Sequence, residues 1–319
     1  MRKYINQLRD NEQVDEVYLF TDKQLRPNKN GKFYLQFSLS DKTGKIDGRF
    51  WNVTDDLFYQ YDNNDYVRAE GATQRYQGAV QFIAKKLTKV AAATISEKEF
   101  VRVQAIDIPK LRNRLLELLR SLSNPDLVNL ADCFLVDEDF MTQFCKSPAG
   151  IKLHHAYTGG LLEHSVAMME IAAFLASLYP VLDRDLLVMG AFLHDVGKTR
   201  ELSCNGEMFY TDSGQMLGHA MLGVEILFEK IHETEKLIGG TFDQKTAMLL
   251  KHLLISHHGT YENQCAKLPM TLEAQTLHFI DSTDSKLAEY QKYMLDDPNI
   301  GHPWTNYIPG IDRKLFKTR

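Results

Sequence analysis

At 319 residues, with 44% hydrophobic and 25% charged side chains, the chain is long enough for two domains with sizeable cores. It is too apolar for a disordered protein and shows no fibrous repeat. The formal net charge of −5 divides unevenly, with 15 Lys and Arg against 12 Asp and Glu in residues 1–92 and 22 against 30 in the remainder. A mildly basic front half fits contact with a polyanion without demanding it, and an acidic remainder is what several metal-binding and surface carboxylates would give.

The first ninety residues read as short strands. Val14–Phe20 alternates loosely and is followed by the polar stretch TDKQLRPNKNGK, expected as a loop. Phe33, Leu35, Phe37 and Leu39 fall at every second position, the period of a half-buried strand, and Ile46–Trp51 resumes it after SDKTGK. DNNDYVRAEGATQRYQGAVQFIAKKL supplies two more strands around a glycine-containing turn. Five strands in so short a segment predict a small closed barrel, with the OB-fold as the leading candidate, over residues 1–92. If Phe33, Leu35, Phe37 and Leu39 fill it, then Tyr34, Gln36 and Ser38 point outward. Arg49 and Trp51 do the same on the next strand. Tyr34, Gln36, Arg49 and Trp51 would form a platform on which unpaired bases stack. The competing expectation is that Tyr34 and Trp51 pack against the second domain.

Beyond residue 92 the pattern turns helical. Residues 93–150 read as a helical linker or cap, with PKLRNRLLELLRSL as one helix and NPDLVNLADCFLVDEDFMTQFCKSPAG as one or two more. Gly159–Tyr179, Asp183–His194, Met216–His232, Asp243–His257 and Thr271–Tyr290 follow as amphipathic helices in a domain spanning 151–295. The tail, 296–319, carries three prolines and two glycines and is expected to wrap a surface. Cys133, Cys145, Cys204 and Cys265 form no CxxC pair, as for reduced thiols in a cytosolic protein. The polar N-terminus does not read as a signal peptide, and no stretch reads as a membrane span. The expected location is the cytoplasm.

Chemistry concentrates in the helical half. LLEHS holds His164, and AFLHDVGK follows with His194 and Asp195 thirty residues on. GHA holds His219, SHHG holds His257 and His258, and HFID ends in Asp281. Any one of these would be an ordinary structural histidine. Together, each in a helix or at its end, they can be aimed inward by a bundle to hold divalent metal. Imidazoles and carboxylates suit Mn, Fe, Co, Ni or Zn and need no thiolate. Asp195 is the natural bridging ligand between two cations, because its carboxylate offers two oxygens where an imidazole offers one nitrogen. Adjacent helical residues point about 100° apart, so His257 and His258 both bind only if the helix ends there, as Gly259 would allow. Glu163, a neighbour of His164, is expected to face solvent.

These residues and their spacing resemble the HD superfamily of metal-dependent phosphohydrolases. The resemblance implies His164, His194, Asp195 and Asp281 as the minimal ligand set. It adds His219 with His257 or His258 where a second metal is held. A barrel ahead of HHAYTGGLLEHS, HDVGK and SHHG is similar, more narrowly, to the bacterial YhaM-type 3′→5′ exoribonucleases, over nearly the whole chain. That resemblance implies hydrolysis of single-stranded RNA, or single-stranded DNA, to nucleoside 5′-monophosphates by a metal-activated hydroxide. Mn²⁺ is the first expectation for the cation, ahead of Co²⁺, Fe²⁺ or Ni²⁺. Members of such families often assemble, so a homo-oligomer is also an expectation. Lys198 is assigned to a phosphate oxygen because similar enzymes keep a lysine there; otherwise it is a solvated lysine at a helix end. His154 and His155 touch the scissile phosphate or a ribose hydroxyl, or else orient a ligand, with His155 the stronger candidate. The competing functions are a phosphohydrolase of small nucleotides or cyclic dinucleotides, a nucleic-acid-binding regulator with a non-catalytic metal site, and a di-iron oxygenase.

Overall fold

The computed structural model describes residues 2–28, 31–76, 79–96, 99–100, 106–150, 157–203, 209–297, 299 and 302–317. The chain forms two compact units, one of residues 1–105 with 290–319 and the other running from Ile106 to Glu289.

In the first unit, β1 (Gln13–Pro27), β2 (Phe33–Asp41), β3 (Gly44–Trp51), β4 (Asp65–Tyr76) and β5 (Ala79–Val90) close into a barrel in the order β1-β2-β3-β5-β4. All neighbours are antiparallel except β3 and β5. A short helix, α1 (Asp55–Tyr59), joins β3 to β4. This is the expected OB-type barrel, and its interior is filled by Tyr18, Phe20, Leu35, Phe37, Leu39, Val67 and Phe82.

Three local expectations are corrected. The polar stretch Thr21–Pro27 is strand rather than loop, because β1 runs past the barrel wall to pair with Phe33–Gln36 of β2. Phe33 lies at the outer end of that arm and is 46% exposed instead of filling the barrel. Ser38, expected outside, is buried, with its hydroxyl near the Asp47 carboxylate.

The second unit is helical: α2 (Ile108–Arg120), α3 (Pro125–Val136), α4 (Glu138–Lys146), α5 (Gly160–Leu178), α6 (Arg184–Leu193), α7 (Lys198–Glu201), α8 (Asp212–Ile238), α9 (Gln244–Ser256) and α10 (Leu272–Leu295, which runs into the first unit). A two-strand hairpin, β6 (Leu202–Ser203) with β7 (Phe209–Tyr210), sits between α7 and α8. Side-chain caps set the helix starts. Asn124 caps α3, Asp137 caps α4, Asp183 caps α6 and Asp243 caps α9, each accepting from backbone N–H groups of the first turn. Helix α8 is longer than the expected Met216–His232 and is kinked at Gly218 (φ 70°, ψ 160°).

Leu115, Leu118 and Phe134 of α2 and α3 share one core with Leu161, Met168, Leu187, Phe192, Leu227, Leu250 and Leu277. Burying each such side chain stabilises the fold by ~1.5–3 kcal/mol. The acidic segment at Asp137 has a structural job as well: its carboxylate holds the buried Lys230 ammonium of α8 at 2.7 Å. By length and composition α5 would pass for a membrane span, contrary to expectation. It is apolar because Leu161, Leu162, Val166, Met168, Met169 and Ala172 face the core around His164.

Candidate metal centre and nucleic-acid face

On the barrel, Tyr34 of β2 lies directly across from Trp51 of β3, with ring centroids 4.9 Å apart, and Gln36 lies across from Arg49. The Arg49 guanidinium sits 5.8 Å from each of those rings and 5.1 Å from Tyr76, a neighbour the sequence reading missed. Trp51 is 39% and Tyr76 48% exposed, so π-faces and a cation share one patch of surface. The missed residue had no clear signal: Tyr76 is the last residue of β4, next to the expected turn, where strand alternation alone does not assign a face.

In the helical unit, the candidate ligands arrive from five places. His164 stands in the first turns of α5. His194 caps the C-terminus of α6, with Asp195 next to it. His219 follows the α8 kink, His257 caps α9 with His258 beside it, and Asp281 lies in α10. His164, His194, Asp195 and His257 are almost fully buried. Asp195 stands between two groups. Its Oδ2 faces His194 Nε2 at 3.3 Å and His164 Nε2 at 3.7 Å, while its Oδ1 faces His219 Nε2 at 3.5 Å and His257 Nε2 at 3.9 Å. Asp281 Oδ1 joins the first group, 3.4 Å from His164 Nε2. His258 joins the second, its Nε2 3.2 Å from that of His219. Both members of the His257–His258 pair converge because α9 stops at Ser256 and Gly259 turns away with φ +79°.

Hydrogen bonding decides which ring nitrogens carry protons. His194 Nδ1 meets the Ala191 carbonyl at 2.8 Å and His257 Nδ1 meets the Leu254 carbonyl at 2.7 Å. Carbonyls only accept, so both Nδ1 atoms donate, which turns each Nε2 into the site. His164 Nδ1 donates to Asp284 at 2.7 Å and His219 Nδ1 to Glu201 at 3.3 Å. Nε2 atoms then confront each other at 3.1 Å (His164 and His194) and 3.3 Å (His219 and His257). Ring nitrogens gathered this closely beside carboxylate oxygens form an N/O donor set that suits a divalent cation.

The electrostatics differ between the two groups. Burial alone would depress His164, but hydrogen bonds to Asp281 and Asp284 lift it to about 9, so without a cation its Nε2 also carries a proton, which a bound metal would displace. Burial opposes ionisation of Asp195, yet Lys198 and His194 hold it well below the usual carboxylate range. Asp281 is likewise lowered, against burial, by His164 and His194. Burial pushes His257 and His258 down, which keeps them neutral.

Residues 161–286 match the HD domain family and residues 20–90 match the OB-fold nucleic acid binding domain family. The 3′-5′ exoribonuclease YhaM of Bacillus subtilis (strain 168) is 32% identical over 277 residues, 86% of this chain and 86% of its own length. The chain belongs to the YhaM exoribonuclease family. The YhaM of Bacillus velezensis is equally similar, 32% identical over 280 residues and 86% of each chain. A solved OB-fold domain of replication protein A from Methanococcus maripaludis is 18% identical over 28% of this chain and 95% of that one, at a TM-score of 0.24.

In this YhaM-family chain the HD domain implies dependence on a divalent metal. Lys198 opens α7 and places Nζ 2.6 Å from Asp195 Oδ2, inside the constellation rather than in solvent. His155 and His154 lie outside the described residues. Glu163 is half-buried and accepts a hydrogen bond from Tyr157, against the expectation of solvent exposure. Sequence reasoning missed Asp284 and Glu201. Asp284 had a signal, since it follows Asp281 by three residues and so shares its helix face. Glu201 had none, lying past the HDVGK motif in a four-residue helix that no periodicity marks.

Proposed function

We propose that the chain is a metal-dependent 3′→5′ exoribonuclease that hydrolyses single-stranded RNA to nucleoside 5′-monophosphates. The observation that supports this most is the split environment of Asp195, whose two oxygens face two separate histidine groups. His164, His194, Asp195 and Asp281 would hold one cation, and Asp195, His219, His257 and His258 the other, with Mn²⁺ first and Co²⁺, Fe²⁺ or Ni²⁺ as alternatives. A pair of bound cations supplies an acidified water and neutralises charge on the reacting phosphoryl group. The chain's own residues do the rest. Asp195 fixes the spacing of the two groups, the backbone-tethered histidines keep their lone pairs aimed inward, and Lys198 brings a further positive charge to the phosphate oxygens. His155 is assigned to the terminal nucleotide. The oxygen of water would form a new bond to phosphorus as the bond to the 3′-oxygen of the preceding nucleotide breaks, the water's proton passing to that 3′-oxygen and the phosphate staying on the released nucleotide.

Tyr34, Gln36, Arg49 and Trp51, with Tyr76 beside them, bind the single strand by stacking and charge, which tolerates any sequence. Substituting Trp51→Ala should weaken long substrates roughly ten-fold, from the ~1–3 kcal/mol that one stacked base contributes, and leave a dinucleotide unaffected. Equal losses on a 20-mer and a dinucleotide, measured as kcat/KM, would remove the platform from the binding path.

The function is tested by digesting 3′-labelled and 5′-labelled single-stranded RNA with Mn²⁺ against an EDTA control. Immediate mononucleotide release from the 3′ label, with stepwise shortening of the 5′-labelled strand, is the expected result. Binding without cleavage across Mn²⁺, Co²⁺ and Ni²⁺ would point to a regulator. Neither binding nor cleavage would leave a phosphohydrolase of small nucleotides.

A further inference from the structure

The two halves of the constellation are supported alike. In the first, His194 is tethered to the Ala191 carbonyl and His164 to the Asp284 carboxylate. In the second, His257 is tethered to the Leu254 carbonyl and His219 to Glu201. Each half thus holds one carbonyl-backed and one carboxylate-backed imidazole, and the second adds His258. Glu201 does more than match Asp284. Its Oε1 accepts from the His219 backbone N–H at 3.0 Å and from Nδ1 at 3.3 Å, so one oxygen fixes both the main chain and the ring.

That double grip falls where α8 is least regular, at the residue after Gly218. Glu201 is itself buried, on the segment that leaves the His194–Asp195 doublet six residues earlier. It therefore ties His219 to the same stretch of chain that carries Asp195. An anionic acceptor on Nδ1–H fixes the ring's orientation and makes Nε2 a better donor to a cation, and loss of such a partner costs about 10–100-fold in metal affinity.

We infer that Glu201 is a positioning residue that sets the affinity of the second cation by holding His219, an inference that rests on the two-cation reading above. Glu201→Gln keeps the shape and an acceptor oxygen but removes the charge, and Glu201→Ala removes both. Asp284→Asn is the matching change on the first half.

The test titrates metal-stripped full-length protein with Mn²⁺ by calorimetry and by electron paramagnetic resonance, with the melting temperature of each metal-free variant as a fold control. Wild type should bind two ions and show the spectrum of a magnetically coupled pair. E201Q and then E201A should lose about ten-fold or more in affinity for one ion only. At limiting Mn²⁺ they should show an uncoupled signal, and excess Mn²⁺ should restore the coupled one. E201Q with two ions at wild-type affinity overturns the inference, and so does an equal loss of both ions in a variant that melts like wild type. A wild type that binds a single ion instead overturns the two-cation reading itself, and the role of Glu201 falls with it.

Discussion

Asp195→Asn should lower RNA hydrolysis by about 10³-fold or more while the Kd for single-stranded RNA changes little. The substitution keeps the volume of the side chain and removes the charge that both histidine groups share. One oxygen of Asp195 serves the His164–His194 side and the other serves the His219–His257 side. In asparagine one of those positions becomes an NH₂, which donates and cannot ligate. Both halves are therefore damaged by a change at one residue. Lys198, 2.6 Å from the carboxylate, loses its counter-charge in a nearly buried setting, so some loss of stability should accompany the loss of activity. Hydrolysis of a labelled RNA, read beside a gel-shift titration and a melting curve, separates chemistry from folding. Near-wild-type turnover in D195N would refute the metal-centre assignment.

Gly197→Ala should be nearly as damaging for a different reason. A Cβ at that position would lie 1.9 Å from the His219 carbonyl oxygen and 2.6 Å from the Gly223 backbone nitrogen. Both obstacles are main chain, so no side chain can swing aside. The turn after HisAsp must separate from α8, and His219 moves with it. Overpacking of this kind costs ~1–3 kcal/mol and more where backbone must shift, equivalent for a unit of this size to a melting temperature lowered by roughly 2–12 °C. Fluorescence or calorimetric melting checks the stability, and Mn²⁺ stoichiometry checks the second group. A variant that melts like wild type and binds two ions would show that α8 can retreat without disturbing the site.

Much of this architecture was legible because period-two and period-3.6 patterns are local. Leu35, Phe37 and Leu39 gave β2, and the leucines after Pro109 gave α2. The failures are non-local. Nothing in TDKQLRP says that a polar stretch will extend β1, since the reason is a partner strand that begins at Phe33. The exposure of Phe33 follows from the same arm. At the candidate metal centre, the histidines and Asp195 stood out through their motifs. Asp284 could be placed on the helix face of Asp281, but its bond to His164 spans 120 residues, and Glu201 reaches His219 across 18 residues with no spacing rule to mark it. Whether His257 or His258 faces the site depended on where α9 ends, and the structure turns both inward.

The distance along the chain between His164 and Asp281 has a consequence for synthesis. Domains form as they leave the ribosome, N-terminal parts first. A nascent chain can close its barrel, and so acquire the proposed stacking face, long before Asp281 and Asp284 of α10 have been added. Until they arrive His164 has Asp195 beside it but lacks the Asp281 and Asp284 carboxylates. The growing polypeptide, held beside the message that encodes it, would thus be unable to assemble its proposed hydrolytic centre until α10 is made.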